Sequence, residues 1–420
     1  MGHTCSNCRR TSAPHNGLST VKVVSYPQPN QRLPNELVIA IIDTVGELKT
    51  LRALALVCHN WHILCRPRIH GTVTIDDWGG RGVMPSAEFI RIYSQYPHLS
   101  EYVTDVSFKL ARPARTEPFH PCLLSFNNLR RLYLECYPDE YDSRRGVLSP
   151  SLVSLIPQLL ISSALTQLSI VGFTFQTIHN LLQSNEALST NLRSLALLHV
   201  YRPEWDPSAM IVNPHPIQMI GLRELKIDNI NSFDMSSIHT PSLLSLSVLH
   251  RVGNLIPQKC PPNITKLTLR LSLNPSWTDA IASSLRRLTR LETLTLEAQN
   301  WGISNYTDYF SWFCACLRHL KDVCQLRRLE IRFLDHACFR TLSSSDFLPL
   351  DGLLDKMCAQ SLRQVHVDLT GIPSRNLMHC PGPRRPDMAS IKNETIAGFP
   401  RLKEAGALRV SVAIEEKPDY

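Results

Sequence analysis

Ten variants of one pattern, L-x-x-L-x-L, follow one another along most of this chain, beginning at Val103, Leu129, Leu165, Leu192, Leu222, Leu243, Ile264, Leu291, Leu326 and Leu362. One or two matches would be chance in a leucine-rich sequence; ten in order restrict the fold. The clearest are Leu129-Leu132-Leu134, Leu192-Leu195-Leu197, Leu291-Leu294-Leu296 and Leu326-Leu329-Ile331. Side chains alternate across a strand, so the second and third apolar positions share one side. The first apolar residue precedes the strand and packs into the same interior. No unit can bury its apolar face alone, so successive units are expected to stack into a curved parallel sheet backed by helices or irregular turns. Helical spacing over residues 151–162, 175–188, 276–288, 305–323 and 347–358 supplies that backing. Ser276 to Asp279 has the spacing of a capping box.

Ahead of the repeats the period is helical. Pro34 suits the first helical position, where its missing N–H costs nothing. Leu37, Ile41, Ile42 and Val45 then recur at helical spacing up to Gly46. A second helix carries Leu51, Leu54, Ala55 and Cys58, and a third carries Trp61 and Cys65 until Pro67 ends it. Three short helices make a small core that needs a partner or a neighbour. Val38, Ile39, Leu56 and Val57 add apolar side chains outside one stripe, and a helix apolar on two faces is buried on two. A bound protein is therefore expected on the second face. Residues 86–96 would form a helix, and the alternating Leu408, Val410, Val412 and Ile414 the closing strand. Residues 373–386 read as a surface loop, and Gly79, Gly80 and Gly82 as a flexible link. The expected division is a polar tail at 1–31, the helical module at 32–75, a link at 76–100, the repeats at 101–414 and a short tail at 415–420.

Composition narrows the class. At 420 residues the chain exceeds a single compact core, so either two domains or an elongated repeat array is expected. The 13 cysteines are odd in number and many lie in apolar patterns, such as Cys58 and Cys65, so free thiols that behave as small buried hydrophobes are expected. No apolar run reaches the ~18 residues of a spanning helix, and the polar opening lacks the apolar middle of a secretory signal. An intracellular location, cytoplasmic or nuclear, is expected. The net charge of +8 favours acidic partners or simple solubility. Phosphate-binding loops, nucleophile elbows and His-Glu-x-x-His are absent from the sequence. Neither an enzyme nor a cofactor is expected.

Leu33-Pro34-Asn35-Glu36-Leu37, then Ile41-Ile42, then Leu54-Ala55-Leu56-Val57-Cys58-His59-Asn60-Trp61 resembles an F-box, with its parts in order. Followed by leucine-rich repeats, the sequence is similar to fungal F-box repeat proteins. The resemblance implies an α/β fold: an N-terminal three-helix F-box, then an irregular leucine-rich-repeat solenoid with a curved parallel sheet. It implies a substrate-recognition adaptor of a Skp-cullin-F-box type ubiquitin ligase. Leu33, Pro34, Leu37, Ile41, Leu54, Val57 and Trp61 would supply much of the F-box core and the surface docking a Skp-type adaptor, and through it a cullin scaffold. His59 stands where Arg or Lys is commoner in that family, and Tyr137, Phe173 and Val200 where a regular repeat has Asn or Cys. A second function class fits the same residues: a repeat scaffold that engages the adaptor without delivering a target.

Target contacts are expected from strand side chains between the buried leucines, namely Arg130, Arg131, Tyr133, Arg193, Arg223, Lys226, Lys266, Arg327, Arg328 and Arg363. The acidic residues there are Asp105, Glu224, Glu292 and Glu330. Two readings stay open: a stripe receiving an acidic or phosphorylated segment of a protein substrate through bidentate arginines, or solvated spacers. Nucleic acid is not expected, since no recognition module is visible. Cys5-x-x-Cys8, near His3 and His15, lacks a second ligand pair, so no metal is expected. Met1-Gly2-His3-Thr4-Cys5-Ser6 fits the myristoylation pattern, and membrane association is expected only if Gly2 is acylated. Cys314, Cys316, His319 and Cys324 read as residues of an apolar helix beside Phe310, Trp312 and Phe313.

Overall fold

The computed structural model describes residues 33–76, 85–110, 125–136, 164–173, 178, 182, 191–200, 217–228, 238–249, 262–271, 285–300, 306–320, 325–335, 343–371 and 388–414. The chain divides into two compact units, Met1–Leu64 and Cys65–Tyr420. The boundary falls within the third helix, earlier than the link expected after residue 75.

The first unit holds α1 (Asn35–Thr44), α2 (Leu48–Ala55) and the start of α3 (His59–His70). Pro34 does not occupy the first helical turn, as its sequence suggests; it precedes it with an extended ψ of 142°. Its carbonyl accepts from the N–H of Leu37 and of Val38, at 3.1 and 3.2 Å, and so starts the helix. Val45, placed in the helix by spacing, is extended, so α1 stops before Gly46 is reached. The buried stripe of α1 is Val38 and Ile42, one turn apart, rather than Leu37 and Ile41. Apolar residues on both faces leave the period unable to choose between these stripes. In α2, Leu51 and Ala55 are buried, whereas Cys58, expected inside, is exposed in the turn that follows. Asn60 Nδ2 donates to Asn35 Oδ1 at 2.9 Å and ties α3 to the start of α1.

Pro67 lies inside α3 rather than ending it. Its ring removes only the bond that its own nitrogen would make to the carbonyl four residues back, and the flanking turns carry the helix on to His70. The chain then turns at Gly71, where a Cβ would sit 2.3 Å from the Pro67 carbonyl oxygen. A glycine is required there.

The second unit is α/β. After β1 (Thr72–Asp76) come α4 (Ser86–Gln95) and a short 3-10 helix (Pro97–Tyr102). The next strands are β2 (Asp105–Leu110), β3 (Arg131–Cys136), β4 (Gln167–Val171), β5 (Ser194–Leu198), β6 (Ile217–Gln218) and β7 (Glu224–Asp228). They continue with β8 (Ile238–His239), β9 (Ser245–Leu249), β10 (Lys266–Leu271) and β11 (Thr293–Asn300). Then follow α5 (Tyr306–Leu320), β12 (Arg328–Asp335), α6 (Ser344–Cys358), β13 (Gln364–Gly371), α7 (Met388–Ala397), α8 (Pro400–Glu404) and β14 (Leu408–Ile414). Twelve strands make one sheet in chain order, with β6 and β8 set aside as a separate parallel pair.

Every pairing is parallel and equivalent positions are opposite one another: Leu267 faces Leu294, Leu294 faces Leu329, and Leu329 faces Val365. All ten first apolar positions, from Val103 to Leu362, are buried, as are pairs such as Leu132 with Leu134 and Leu294 with Leu296. A recurring bond locks each step to the next. The carbonyl after the first apolar residue accepts two successive N–H groups, as Arg130 does from Thr166 and Gln167 at 2.9 and 3.0 Å. Arg223 does so from Leu244 and Ser245, and Glu292 from Arg327 and Arg328. The backbone groups at these turns into a strand are thereby paired.

On the leucine side of the sheet, Phe333 of β12 meets Phe310 and Phe313 of α5 at ring-centroid distances of 5.5 and 5.8 Å. Phe310 also meets Phe347 of α6 at 4.8 Å, and Phe347 meets Phe399 at 5.1 Å. The helices expected at 305–323 and 347–358 are thus present with shifted ends, and α6 starts on a capping box at Ser343 and Asp346. The capping box at Ser276–Asp279, the helix at 151–162, the link glycines 79, 80 and 82, and the loop at 373–386 lie outside the described residues. Of the helix at 175–188 only Ile178 and Leu182 are described, and both are buried. The sequence reading missed α7 and α8. Buried Asp351 accepts from the backbone N–H of Arg401 and Leu402 at 3.3 and 3.2 Å, holding α8 by its first turn.

Candidate functional site

Two surfaces carry the residues singled out by sequence, and each is described within its own unit. In the helical unit, Val38, Ile42, Leu51 and Ala55 form the interior. Large apolar side chains remain on the outside: Leu56 is 85% exposed, Val57 65%, Leu37 53% and Leu33 52%. Ile39, Ile41, Leu48 and Ile63 are also exposed. Of the seven residues implied for the adaptor surface, Leu33, Pro34, Leu37, Ile41 and Val57 are exposed, while Leu54 and Trp61 are half-buried. Isolated exposed leucines are ordinary; eight exposed large apolar side chains in a unit of three short helices are an unusual density of apolar surface.

In the sheet, the side opposite the leucines presents polar and charged side chains. Arg131, Tyr133, Lys226, Lys266 and Arg328 lie in strands and alternate with the buried leucines, as expected. Arg130, Arg193, Arg223, Arg327 and Arg363 do not. They occupy the residue just before a strand, at the sheet's margin, and the carbonyls of Arg130, Arg193, Arg223 and Arg327 accept the double bond described above. Strand alternation explains the correction: the residue after the first leucine has the parity of the buried pair and could not face the open side if the strand began there. Several of these cations are also already engaged. Arg131 pairs with Asp105, which raises the Arg131 pKa through that hydrogen bond and charge. Arg193 Nη1 donates to the Gly221 carbonyl at 3.0 Å.

A network missed by the sequence reading crosses β10, β11 and β12. Arg270 Nε donates to Glu297 Oε2 at 2.8 Å, and Arg332 Nη1 donates to Glu297 Oε1 at 3.2 Å. Arg332 Nη2 reaches Glu330 Oε2 at 2.8 Å, and Arg328 Nη2 reaches Glu330 Oε1 at 2.6 Å. Both glutamates are buried. The signal was present in sequence: the third open-side position of β10, β11 and β12 is Arg270, Glu297 and Arg332, in register.

On β13 and β14, Ser411 Oγ donates to Asp368 Oδ1 at 2.8 Å and lies 2.9 Å from His366 Nε2. The three residue types of a hydrolase triad are present, yet the carboxylate holds the serine rather than the imidazole. With its one proton given to Asp368, the hydroxyl accepts from His366, and no base is oriented against a nucleophile. The trio bridges two strands. Cys314 and Cys316 are buried in α5, and burial pushes both thiols up, Cys316 strongly. His319 is half-buried there, and Cys324 lies outside the described residues, as do Cys5, Cys8, Gly2 and Tyr137. Phe173 and Val200 are buried, serving as core rather than as polar positions. Among the described residues no group of three or more His, Cys, Asp or Glu could hold a metal ion, and no helix is long and apolar enough to cross a membrane.

No protein-family model matches the chain, and no curated protein matches it. Among solved structures it is similar to a Bacteroides fragilis protein determined as a structural-genomics target, at 13% identity and a TM-score of 0.34, over 66% of this chain and 74% of that one.

Proposed function

We propose that this chain is an F-box substrate adaptor of a Skp-cullin-F-box type ubiquitin ligase, with α1, α2 and α3 docking a Skp-type adaptor and the sheet unit holding a protein target. The observation that carries the reading is the apolar surface left by the helical unit: a core of Val38, Ile42, Leu51 and Ala55, with Leu33, Leu37, Ile41, Leu56 and Val57 outside it. Exposed apolar surface of this kind is stabilised by a covering protein, because burial releases about 25 cal/mol for each Å² removed from water. Four of these, Leu33, Leu37, Ile41 and Val57, are also side chains that the F-box resemblance assigns to docking. The finer fold belongs to the same proposal. Strands in chain order, equivalent apolar positions and a repeated inter-strand bond support an irregular leucine-rich-repeat solenoid with a curved sheet. The chain then acts without chemistry of its own, by bringing a target within reach of the ligase.

Affinity capture of the full chain beside a Leu33→Ala, Pro34→Ala variant, with the proteasome blocked, tests this. The wild-type chain is expected to bring down adaptor, cullin and target, and the variant to keep only the target. A folded wild-type chain that captures no adaptor rules the function out.

A further inference from the structure

The charged network on β10 to β12 has the build of an anion-recognition site, and we propose that it binds an acidic, Asp- or Glu-rich extended segment of the target protein along β11. The inference rests on reading the sheet unit as the target-holding part of the chain. Three features carry it.

First, the two carboxylates are saturated. Each oxygen of Glu297 and of Glu330 meets a guanidinium of Arg270, Arg332 or Arg328. The glutamate side chains are only 7% and 12% exposed, so they lie beneath the arginines and present little negative charge to an incoming anion. Secondly, Arg270, Arg328, Arg332 and exposed Lys266 stand against Glu297, Glu330 and Asp368, the residue in register with Arg332 on β13, so four cations still exceed three carboxylates. Arg328 and Arg332 stay 48% and 42% exposed, so donors not used on the glutamates face outward. A guanidinium already fixed on a buried carboxylate loses little further freedom on binding.

Thirdly, the spacing suits a strand-like ligand. Lys266 and Arg270 stand on β10, Arg328 and Arg332 on β12, with Thr293 and Thr295 of β11 between the two rows. Strands two apart lie about 10 Å from each other, and residues four apart in a strand about 13 Å. An extended segment over β11 therefore meets cations on both sides, and acidic residues four apart fall level with the paired rows. Single-charged carboxylates match guanidiniums that are already half-neutralised. A nucleic acid, by contrast, draws its affinity from many unpaired cations, and a phosphoserine from two or more that converge on one group.

The test is fluorescence anisotropy on the full chain, using a labelled Gly/Ser peptide with glutamates four residues apart. Comparison probes are the same peptide with glutamines, the same peptide with phosphoserines, and an oligouridylate of similar length. The glutamate peptide is expected to bind best, and more weakly as salt rises. Lys266→Glu, at an exposed position, is expected to weaken it about tenfold. Arg328→Gln, which leaves Glu330 paired with Arg332, is expected to do likewise, whereas Arg130→Ala at the margin is expected to change nothing. The Leu33→Ala, Pro34→Ala chain is expected to bind the peptide like wild type, which keeps this result separate from adaptor docking. Equal binding of the glutamine peptide, tighter binding of the phosphopeptide or the RNA, equal loss on Arg130→Ala, or no binding at millimolar peptide would each overturn the assignment.

Discussion

His199 has a φ of 51°, in the left-handed region that L side chains rarely adopt, and it follows β5 just as Gly172, at φ 78°, follows β4. Both use their N–H in the same way: Gly172 bonds the Leu198 carbonyl and His199 the Asp228 carbonyl, at 2.9 and 3.0 Å. The repeat imposes the turn, and only the first position carries the residue that turn prefers. His199→Gly is therefore expected to raise stability by about 1 kcal/mol, read as a higher denaturation midpoint at unchanged slope. Cysteine behaviour divides at the same scale. Cys58 is exposed in the turn after α2, while Cys316 is buried with its thiol pushed well up by burial. At neutral pH iodoacetamide should label Cys58 and spare Cys316 in the folded chain, as read by peptide mass spectrometry. A raised folded-state thiol pKa gives stability that is present below the ordinary thiol range and is lost as pH climbs above it, so Cys316 is expected to become reactive only with alkaline unfolding. The sequence placed both cysteines inside; Cys316 is there, but α2 ends at Ala55 and leaves Cys58 in the turn beyond the buried stripe, an end that apolar spacing alone did not mark. It also treated every arginine between leucines alike, although alternation separates Arg328, on the open side, from Arg327, on the margin.

At the scale of elements, the strands were the most legible part, because an apolar pair two apart with a third residue before it has one economical solution. The longer helices α5 and α6 were legible for a similar reason. By contrast, α7 buries little beyond Thr395, and α8 is a single turn held by the buried carboxylate of Asp351, a contact between residues 50 apart that no local pattern announces. Pro67 misled in the other direction, since a helix can lose one bond and continue. The burial of the strands is uneven. Leu294 of β11 is fully buried between neighbours on both sides, whereas Val410 of β14, the last strand of the sheet, is only half-buried. Leu294→Ala is expected to cost about 3 kcal/mol through the cavity it leaves, and Val410→Ala about 1 kcal/mol. Chemical denaturation of both variants checks this, and equal losses would mean that β14 is packed as an interior strand.

For the whole molecule, the proposed function gives ligase docking to the helical unit and target binding to the sheet unit. The proposed docking surface was legible as an excess of apolar residues over what three short helices can enclose, although the sequence misassigned which stripe turns inward. The proposed target surface was legible only in composition, as arginines near strands; its organising element, two buried glutamates each shared by two arginines, depends on the register of three strands. The central claim is that the exposed apolar side chains of the helical unit exist to be covered by a Skp-type adaptor. Its most direct measurement is calorimetric titration of the full chain with purified adaptor at several temperatures, beside a Leu56→Asp, Val57→Asp variant whose melting is unchanged. The expected result is tight binding with a negative heat-capacity change, the mark of apolar burial, and its loss in the variant. Undiminished binding by the variant, or none by the wild-type chain, would contradict it.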